Sequence, residues 1–305
     1  MSNIEKELLA QIADLHKTPT GAYSLRKNGV GIEKNSTEDI EIQQKTDKNG
    51  IDIIVKPNVK NKSVHMPVII TEAGIQDLVY NDFYIGDNSD VLIVAGCGIH
   101  NAGDTTSEHN GIHSFHLGKN CKVRYVEKHI GTGDGEGGKV LNPVTNIEME
   151  SGATFEMETT QLGGVTSSVR DTKAILHENT NLIIKEKILT TGTQTATTDF
   201  DVELVGENAS VEVISRSVAK DESYQAFNST IIGKTKSFGH VECDAILMDK
   251  AKIKSTPEIL AEDINATLVH EAAIGKIAGE QLTKLMTLGL SEKEAEDLII
   301  KGFLR

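Results

Sequence analysis

The feature that most constrains the fold is a turn signal that recurs along the middle of the chain. Each copy is an Asn or Gly followed by a small residue and then an alternating apolar segment; the copies are Asn88-Ser89, Asn120-Cys121, Gly152-Ala153, Asn179-Thr180, Asn208-Ala209 and Asn265-Ala266. Their spacings in sequence number are 32, 32, 27, 29 and 57, and the last is nearly two repeats. A period of about 29, built only of short strands and turns, is typical of the stacked coils of a β-helix.

Between the turns the sequence alternates apolar and polar residues, as expected for short strands. Clear examples are 51–55, 123–126 and 211–214, each bounded by Gly, Asn or Asp. A β-sandwich also has short strands at regular spacing and is the competing architecture. The constancy of the turn favours the solenoid.

The two ends of the chain show helical periodicity instead. A short helix is predicted between Ser2 and His16, ended by Pro19-Thr20-Gly21, because four apolar residues recur at helical spacing: Leu8, Leu9, Ile12 and Leu15. At the other end, 277–305 predicts two helices. Gly289 ends the first, and Ser291 caps the second with Glu294 at the capping-box position.

We therefore predict three segments. Residues 1–60 form the N-terminal helix and an irregular region, 61–276 the β-helix core, and 277–305 the helical pair.

Charge and cysteine content limit the possible partners. The chain has 45 acidic and 31 basic residues, and its net charge of −14 repels nucleic acid and anionic membranes. The first residues lack a secretory signal and no apolar run is long enough to span a membrane, which predicts a cytoplasmic protein. Three irregularly spaced cysteines predict reduced thiols.

Arg170 and Asp171, adjacent in sequence, are expected to form a structural ion pair.

The C-terminal quarter contains a set of short motifs. Cys243-Asp244 is followed by His270-Glu271-Ala272, then by Gly289-Leu290-Ser291-Glu292, and the chain finishes on Gly302-Phe303-Leu304-Arg305. These motifs resemble the SufB/SufD family of iron–sulfur cluster scaffold proteins, with a specific match over roughly 240–305. Together with the repeat, the resemblance implies a right-handed parallel β-helix.

The resemblance also implies a site. Cys243 would accept sulfur or bind iron, Glu271 would ligate iron or move protons, and His270 would supply an imidazole. Cys243 and Glu271 differ by 28 in sequence number, so they are expected to lie side by side on neighbouring strands, whereas strand alternation points His270 to the opposite face from Glu271.

A single cysteine cannot complete a cluster site, which takes about four ligands. In this family the cluster is thought to form between a B-type subunit, which has the Cys and Glu, and a D-type subunit, which has the His. Since all three residues occur here in one chain, we predict a homodimer with a transient iron–sulfur cluster at its interface. A cysteine desulfurase or another sulfur donor would be a further partner.

The chain has no phosphate-binding motif of its own. The glycine-rich run 131–138 is acidic and lacks the Gly-Lys-Ser/Thr ending. We therefore expect a scaffold without enzymatic activity, and the resemblance implies that the ABC-type ATPase SufC supplies ATP hydrolysis and docks on 277–305.

A second group of residues has metal-ligand spacing. Cys97 and His100 form a Cys-x2-His pair and His109 and His113 a His-x3-His pair, which would suit zinc or iron. Strand alternation could instead disperse these side chains over two faces.

Two other functions compete with the scaffold. One is a zinc-stabilised interaction protein built around the segment from Cys97 to Cys121. The other is a β-helical carbohydrate-active enzyme, against which stand the 4% aromatic content and the absence of Trp.

Overall fold

The protein is a β-solenoid of about eight turns with one short helix at its N-terminal end and two at its C-terminal end, which confirms the predicted fold class. The computed structural model describes residues 1–13, 15 and 21–305, so the predicted helix break at Pro19-Thr20 lies outside the described residues. No helix in this described part is long and apolar enough to cross a membrane.

Two ten-stranded sheets form the walls of the solenoid. The first, called the A-wall, contains β1 (Ala22–Lys27), β2 (Val30–Asn35), β5 (Lys62–Ile70), β7 (Asp90–His100), β9 (Lys122–Thr132), β12 (Thr154–Leu162), β14 (Asn181–Thr190), β16 (Ser210–Ala219), β18 (Phe238–Leu247) and β20 (Thr267–Gly275). The second, called the B-wall, contains β3 (Ile40–Gln44), β4 (Gly50–Val55), β6 (Gln76–Ile85), β8 (Ser107–Leu117), β10 (Lys139–Leu141), β11 (Val144–Met149), β13 (Ser167–Leu176), β15 (Thr195–Leu204), β17 (Tyr224–Gly233) and β19 (Lys252–Ala261).

From β4 onward the chain alternates between the walls, except that β10 and β11 follow each other in the B-wall, and strands of neighbouring coils pair in parallel. Inward-facing residues of both walls form one continuous apolar core that runs from Ala22 to Cys243. The antiparallel pairs β1–β2 and β3–β4 begin the two walls. The segment 1–60 therefore contains four strands and is less irregular than predicted; the boundary at its end stays a prediction.

Five of the six recurring turn residues share a backbone conformation. Asn88, Asn120, Asn179 and Asn208 have φ between 54° and 59°, and Gly152 has φ 75°, a left-handed region that Asn and Gly tolerate best. Each such turn donates its backbone N–H to the same turn of the next coil, as from Asn88 N to Lys119 O at 2.8 Å. In the coil after Asn208 the same turn contains Lys236, whose carbonyl oxygen accepts from Asn208 N. The spacing of 57 between Asn208 and Asn265 therefore spans two coils.

Helix α1 (Asn3–Ala13) packs against the outer face of the A-wall through Leu8 and Ile12. Gly96 and Gly98 make this close approach possible, because a Cβ on either would lie within 3.0 Å of an α1 side chain.

At the other end are α2 (Gly279–Thr287) and α3 (Glu292–Phe303). Gly289 has φ 96° after the first helix, and Ser291 caps the second in a capping box with Glu294, as predicted. Helix α3 is attached to the solenoid by Ile300 and Leu304, which pack with Val218.

Candidate functional site

Cys243 lies on the inner face of β18 and is only 1% exposed. Its register partners on the A-wall are Ser215 on the preceding coil and Ala272 on the last coil. Burial raises the pKa of the thiol, although the Ser255 hydroxyl beside it, on the facing wall, acts in the opposite direction. The sulfur is therefore a protonated thiol one coil below the C-terminal end of the solenoid.

Glu271 does not lie beside Cys243, and that prediction was wrong by one residue. The coil is longer by one residue than the spacing between them, so Cys243 pairs with Ala272, and Glu271 pairs with Glu242. Because side chains alternate between faces, this single step moves Glu271 to the outer face. Its side chain is 67% exposed there, with one carboxylate oxygen 4.0 Å from His240 Nε2.

His270 is on the opposite face from Glu271, as alternation predicted. It pairs with the fully buried Val241, so it shares the inner face with Cys243. Burial lowers the pKa of the imidazole, and His240 adds to this effect. His270 Nε2 is buried and has no hydrogen-bond partner among the described residues. The imidazole thus offers an uncharged nitrogen that could bind a metal ion.

The coil that contains His270 is the last of the solenoid. Within the described chain, β19 and β20 each pair with a strand on one side only. Inward-facing residues of this coil are not covered by a further coil. Ile274 is 43% exposed, whereas its register partner on β18, Ala245, is buried. An open parallel edge of this kind is a site for pairing with another chain.

A column of polar side chains leads to Cys243 along the inner face of the A-wall. Successive register partners are Glu127, Thr159, Glu186, Ser215 and Cys243. Glu186 accepts hydrogen bonds from the Thr198 hydroxyl at 2.8 Å and the Ser215 hydroxyl at 2.9 Å. Sequence reasoning missed this column, because the steps between its members are unequal, at 32, 27, 29 and 28 residues.

Arg170 neutralises one carboxylate of that column. Its guanidinium donates to Glu127 Oε2 at 2.6 Å from the facing wall. Burial alone would raise the pKa of Glu127, but Arg170 and His129 outweigh it and hold that pKa well below the usual range. The predicted pair of Arg170 with Asp171 was wrong, because adjacent strand residues face opposite ways and Asp171 pairs with Lys173 at 3.3 Å.

A cavity of about 210 Å³ extends from the exposed strand β2 into the N-terminal end of the solenoid. Of the second predicted group, Cys97, His109 and His113 line this cavity, and His129 joins them. His100 does not, since it lies three residues after Cys97 on the outer face and its Nδ1 is 3.0 Å from the Thr132 hydroxyl. Among the described residues, no three or more His, Cys, Asp or Glu side chains are already arranged as a metal site.

Comparison with known proteins identifies a family for this chain. Residues 78–303 match the family described as SUF system FeS cluster assembly, SufBD core domain. An iron–sulfur cluster assembly SufBD family protein of Methanocaldococcus jannaschii is 30% identical over 261 residues, which cover 83% of this chain and 79% of that protein. One of Archaeoglobus fulgidus is 29% identical over 277 residues, covering 90% and 73%. The SufB protein of Bacillus subtilis is 34% identical over 103 residues, covering 32% of this chain and 22% of that protein.

Proposed function

This chain belongs to the SufBD family of iron–sulfur cluster assembly proteins, and we propose that it is a scaffold on which a nascent cluster is built between two copies of the chain. The family favours this function over a zinc-stabilised interaction protein or a carbohydrate-active enzyme.

One observation supports the proposal most directly. Cys243 and His270 share the inner face at the end of the solenoid where the edge strands β19 and β20 are uncovered. Joining two such ends covers the open edges and brings two copies of each side chain together. Two thiols and two imidazoles supply the four soft ligands that one chain cannot.

Each residue has a role in this scheme. Cys243 accepts sulfur or binds iron, and since burial raises its pKa, iron binding must displace the thiol proton. His270 offers its unpartnered Nε2 to iron. Glu271 ligates iron or moves protons at the outer rim of the interface, beside His240.

Anaerobic reconstitution with ferrous iron and sulfide, followed by absorption spectroscopy, tests these roles. We expect Cys243→Ser to abolish cluster formation, Glu271→Gln to impair it strongly, and Cys97→Ser to leave it largely intact. Each substitution changes little volume, so circular dichroism should show an unchanged fold. Loss of the cluster in Cys97→Ser with retention in Cys243→Ser would move the site to the N-terminal cavity.

The C-terminal helices are the proposed docking site for an ABC-type ATPase of the SufC kind. None of the side chains in α2 is buried, and Met286, Leu288 and Leu298 are exposed apolar residues on the pair. We expect the isolated chain to have no ATPase activity and to receive sulfur from a cysteine desulfurase or another donor.

Truncation after Gly275 should abolish co-purification with the ATPase. Because that truncation also uncovers Val218, which α3 shields, the sharper variant is Leu288→Glu. Leu288 is 75% exposed, so this change should weaken binding without unfolding the helices. Undiminished binding by both variants would place the docking surface elsewhere.

A further inference from the structure

Two histidines in the N-terminal cavity point at the same place. His109 and His113 flank Gly111 on the inner face of β8. A Cβ on Gly111 would lie 2.8 Å from His113 Nε2 and 3.4 Å from His109 Nε2. The missing side chain of Gly111 therefore leaves a space toward which both nitrogens converge.

The hydrogen bonds of His109 determine which of its nitrogens has the proton. Its Nδ1 is 2.9 Å from Asp77 Oδ2, and Arg26 holds the same carboxylate with bonds of 2.8 and 2.6 Å. Burial alone would raise the pKa of Asp77, but Arg26 and His109 outweigh it and keep Asp77 ionised. An ionised carboxylate only accepts, so His109 donates from Nδ1, and in the neutral ring Nε2 is the nitrogen with the lone pair.

His113 is held in the same tautomer by a different partner. Its Nδ1 is 2.9 Å from the Tyr125 hydroxyl, which itself donates to Glu127 Oε1 at 2.9 Å. The hydroxyl has one proton, so it must accept from His113 Nδ1. Burial lowers the pKa of His113 to about 4, and the ring is neutral at neutral pH. His113 Nε2 is therefore also a bare lone pair.

With both rings neutral, two lone pairs face one space, which suits a positive or donating occupant between them. A carboxylate or other acceptor on Nδ1 is the usual outer partner of an imidazole that binds metal through Nε2. Cys97 lines the same cavity, on the A-wall, next to His129 in register.

We infer that this cavity binds one first-row divalent metal ion, such as Zn²⁺, Fe²⁺ or Co²⁺, through His109 Nε2 and His113 Nε2, with the Cys97 thiolate as third ligand. Imidazole and thiolate together select this class of ion. The Asp77–Arg26 and Glu127–Arg170 pairs are each neutral, so the thiolate offsets part of the charge of the ion. Because no three His, Cys, Asp or Glu side chains are already grouped as a metal site in the described part of the chain, binding through Cys97 requires its side chain to move toward the two imidazoles.

This site is separate from the proposed cluster site and does not depend on it. Five strand-to-strand steps along the A-wall separate Cys97 from Cys243, about 24 Å at the usual strand spacing. A water molecule that donates to both nitrogens is the competing occupant.

Anaerobic titration of the full chain with Co²⁺ tests the inference. The parent should be Cys243→Ser, so that the cluster site contributes no thiolate. We expect one ion per chain with the visible bands of tetrahedral cobalt and a sulfur-to-cobalt charge-transfer band that Cys97→Ser removes. No bound cobalt in the parent would mean that water occupies the cavity, and would overturn the inference. An unchanged charge-transfer band in Cys97→Ser would remove Cys97 from the site.

Gly111→Ala is the decisive variant, because it fills the space and keeps all three proposed ligand residues in the sequence. We expect it to abolish cobalt binding, as should the double substitution His109→Gln and His113→Gln. Tyr125→Phe removes the hydroxyl that holds the His113 proton on Nδ1, and should weaken cobalt binding by about 10- to 100-fold. His100→Gln, outside the cavity, is the matched control and should bind like the parent. Equal affinity in Gly111→Ala and the parent would overturn the inference, whatever its effect on stability.

Discussion

The surroundings of Cys97 and Cys243 differ, although both thiols lie on the inner face of the A-wall and are 1% exposed. Around Cys97 the solenoid supplies paired charges of its own, Asp77 with Arg26 and Glu127 with Arg170. Around Cys243 the adjacent polar groups are the hydroxyls of Ser215 and Ser255, and the next coil is the last. The first region pairs its buried charges within one chain, whereas the second lies beside the uncovered strands β19 and β20.

The contrast suggests two different uses of one fold. A closed interior can hold charged groups in a set geometry, because water is excluded and each charge has a partner. An open end exposes backbone groups that only another molecule can pair. A second chain is therefore expected at Cys243 and is unnecessary at Cys97.

The largest expected effect comes from breaking the buried ion pair between Arg170 and Glu127, in the region around Cys97. Arg170→Met leaves the Glu127 carboxylate without its partner, and we expect a loss of about 3–5 kcal/mol in the free energy of unfolding. Urea unfolding followed by circular dichroism would measure it, since the chain has no Trp.

The matched control for this prediction is Arg124→Met, which removes a surface pair with Glu158 at 3.3 Å. Arg124 is 56% exposed, and the loss should stay below about 1 kcal/mol. Adding Glu127→Gln to Arg170→Met should recover much of the stability. Equal losses at the two arginines would mean that the interior is as hydrated as the surface, and the contrast would fail.

A pH effect should come from His113 in the same region. Burial lowers its pKa from 6.5 to about 4. The unfolded chain therefore binds the proton first as the pH falls. Stability from this group is complete above about pH 6.5 and declines toward pH 4, by on the order of 3 kcal/mol.

Urea midpoints measured between about pH 7 and pH 4 in the presence of a chelator would show this slope. In His113→Gln the slope should be reduced, because the titrating group is gone. His116→Gln is the control, since His116 lies on the exposed outer face and stacks on Tyr84. If both variants kept the parental slope, other groups would account for the acid sensitivity.

A substitution at the uncovered C-terminal end of the solenoid should change the dimerisation equilibrium rather than the free energy of unfolding. Ile274→Lys places a charge on the uncovered inner face of β20, and we expect the dimer to weaken by about 100-fold, or about 3 kcal/mol. Light scattering over a concentration series would measure the change. Ile175→Lys is matched, because Ile175 is also 43% exposed but lies on β13, which is paired on both sides. A parent that is monomeric at micromolar concentration would count heavily against the dimer.

Local features of both regions could be predicted from the sequence. The recurring turns and the capping box depend on residues a few positions apart, and these predictions were confirmed. The predicted contact between Cys243 and Glu271 was wrong, because coils vary in length. A shift of one residue in the strand register moves a side chain to the opposite face of the sheet. Arg170 and Glu127 meet from opposite walls although they are far apart in sequence, a contact that no local pattern reveals.

The smallest expected effect is at the capping box of α3, which tests how far the C-terminal helices depend on the solenoid. Ser291 accepts from Glu294 N, and Ser291→Ala should cost about 1 kcal/mol, whereas Ser291→Asp keeps an acceptor and should behave like the parent. Only Ala295, Ile300 and Leu304 are buried among the residues of 279–305. Their unfolding should therefore be local: hydrogen exchange in α3 should quicken in Ser291→Ala while β14 and β16 stay protected. Faster exchange in those strands as well would mean that the helices close this flank of the solenoid, and that the C-terminal region is less open than the uncovered edges suggest.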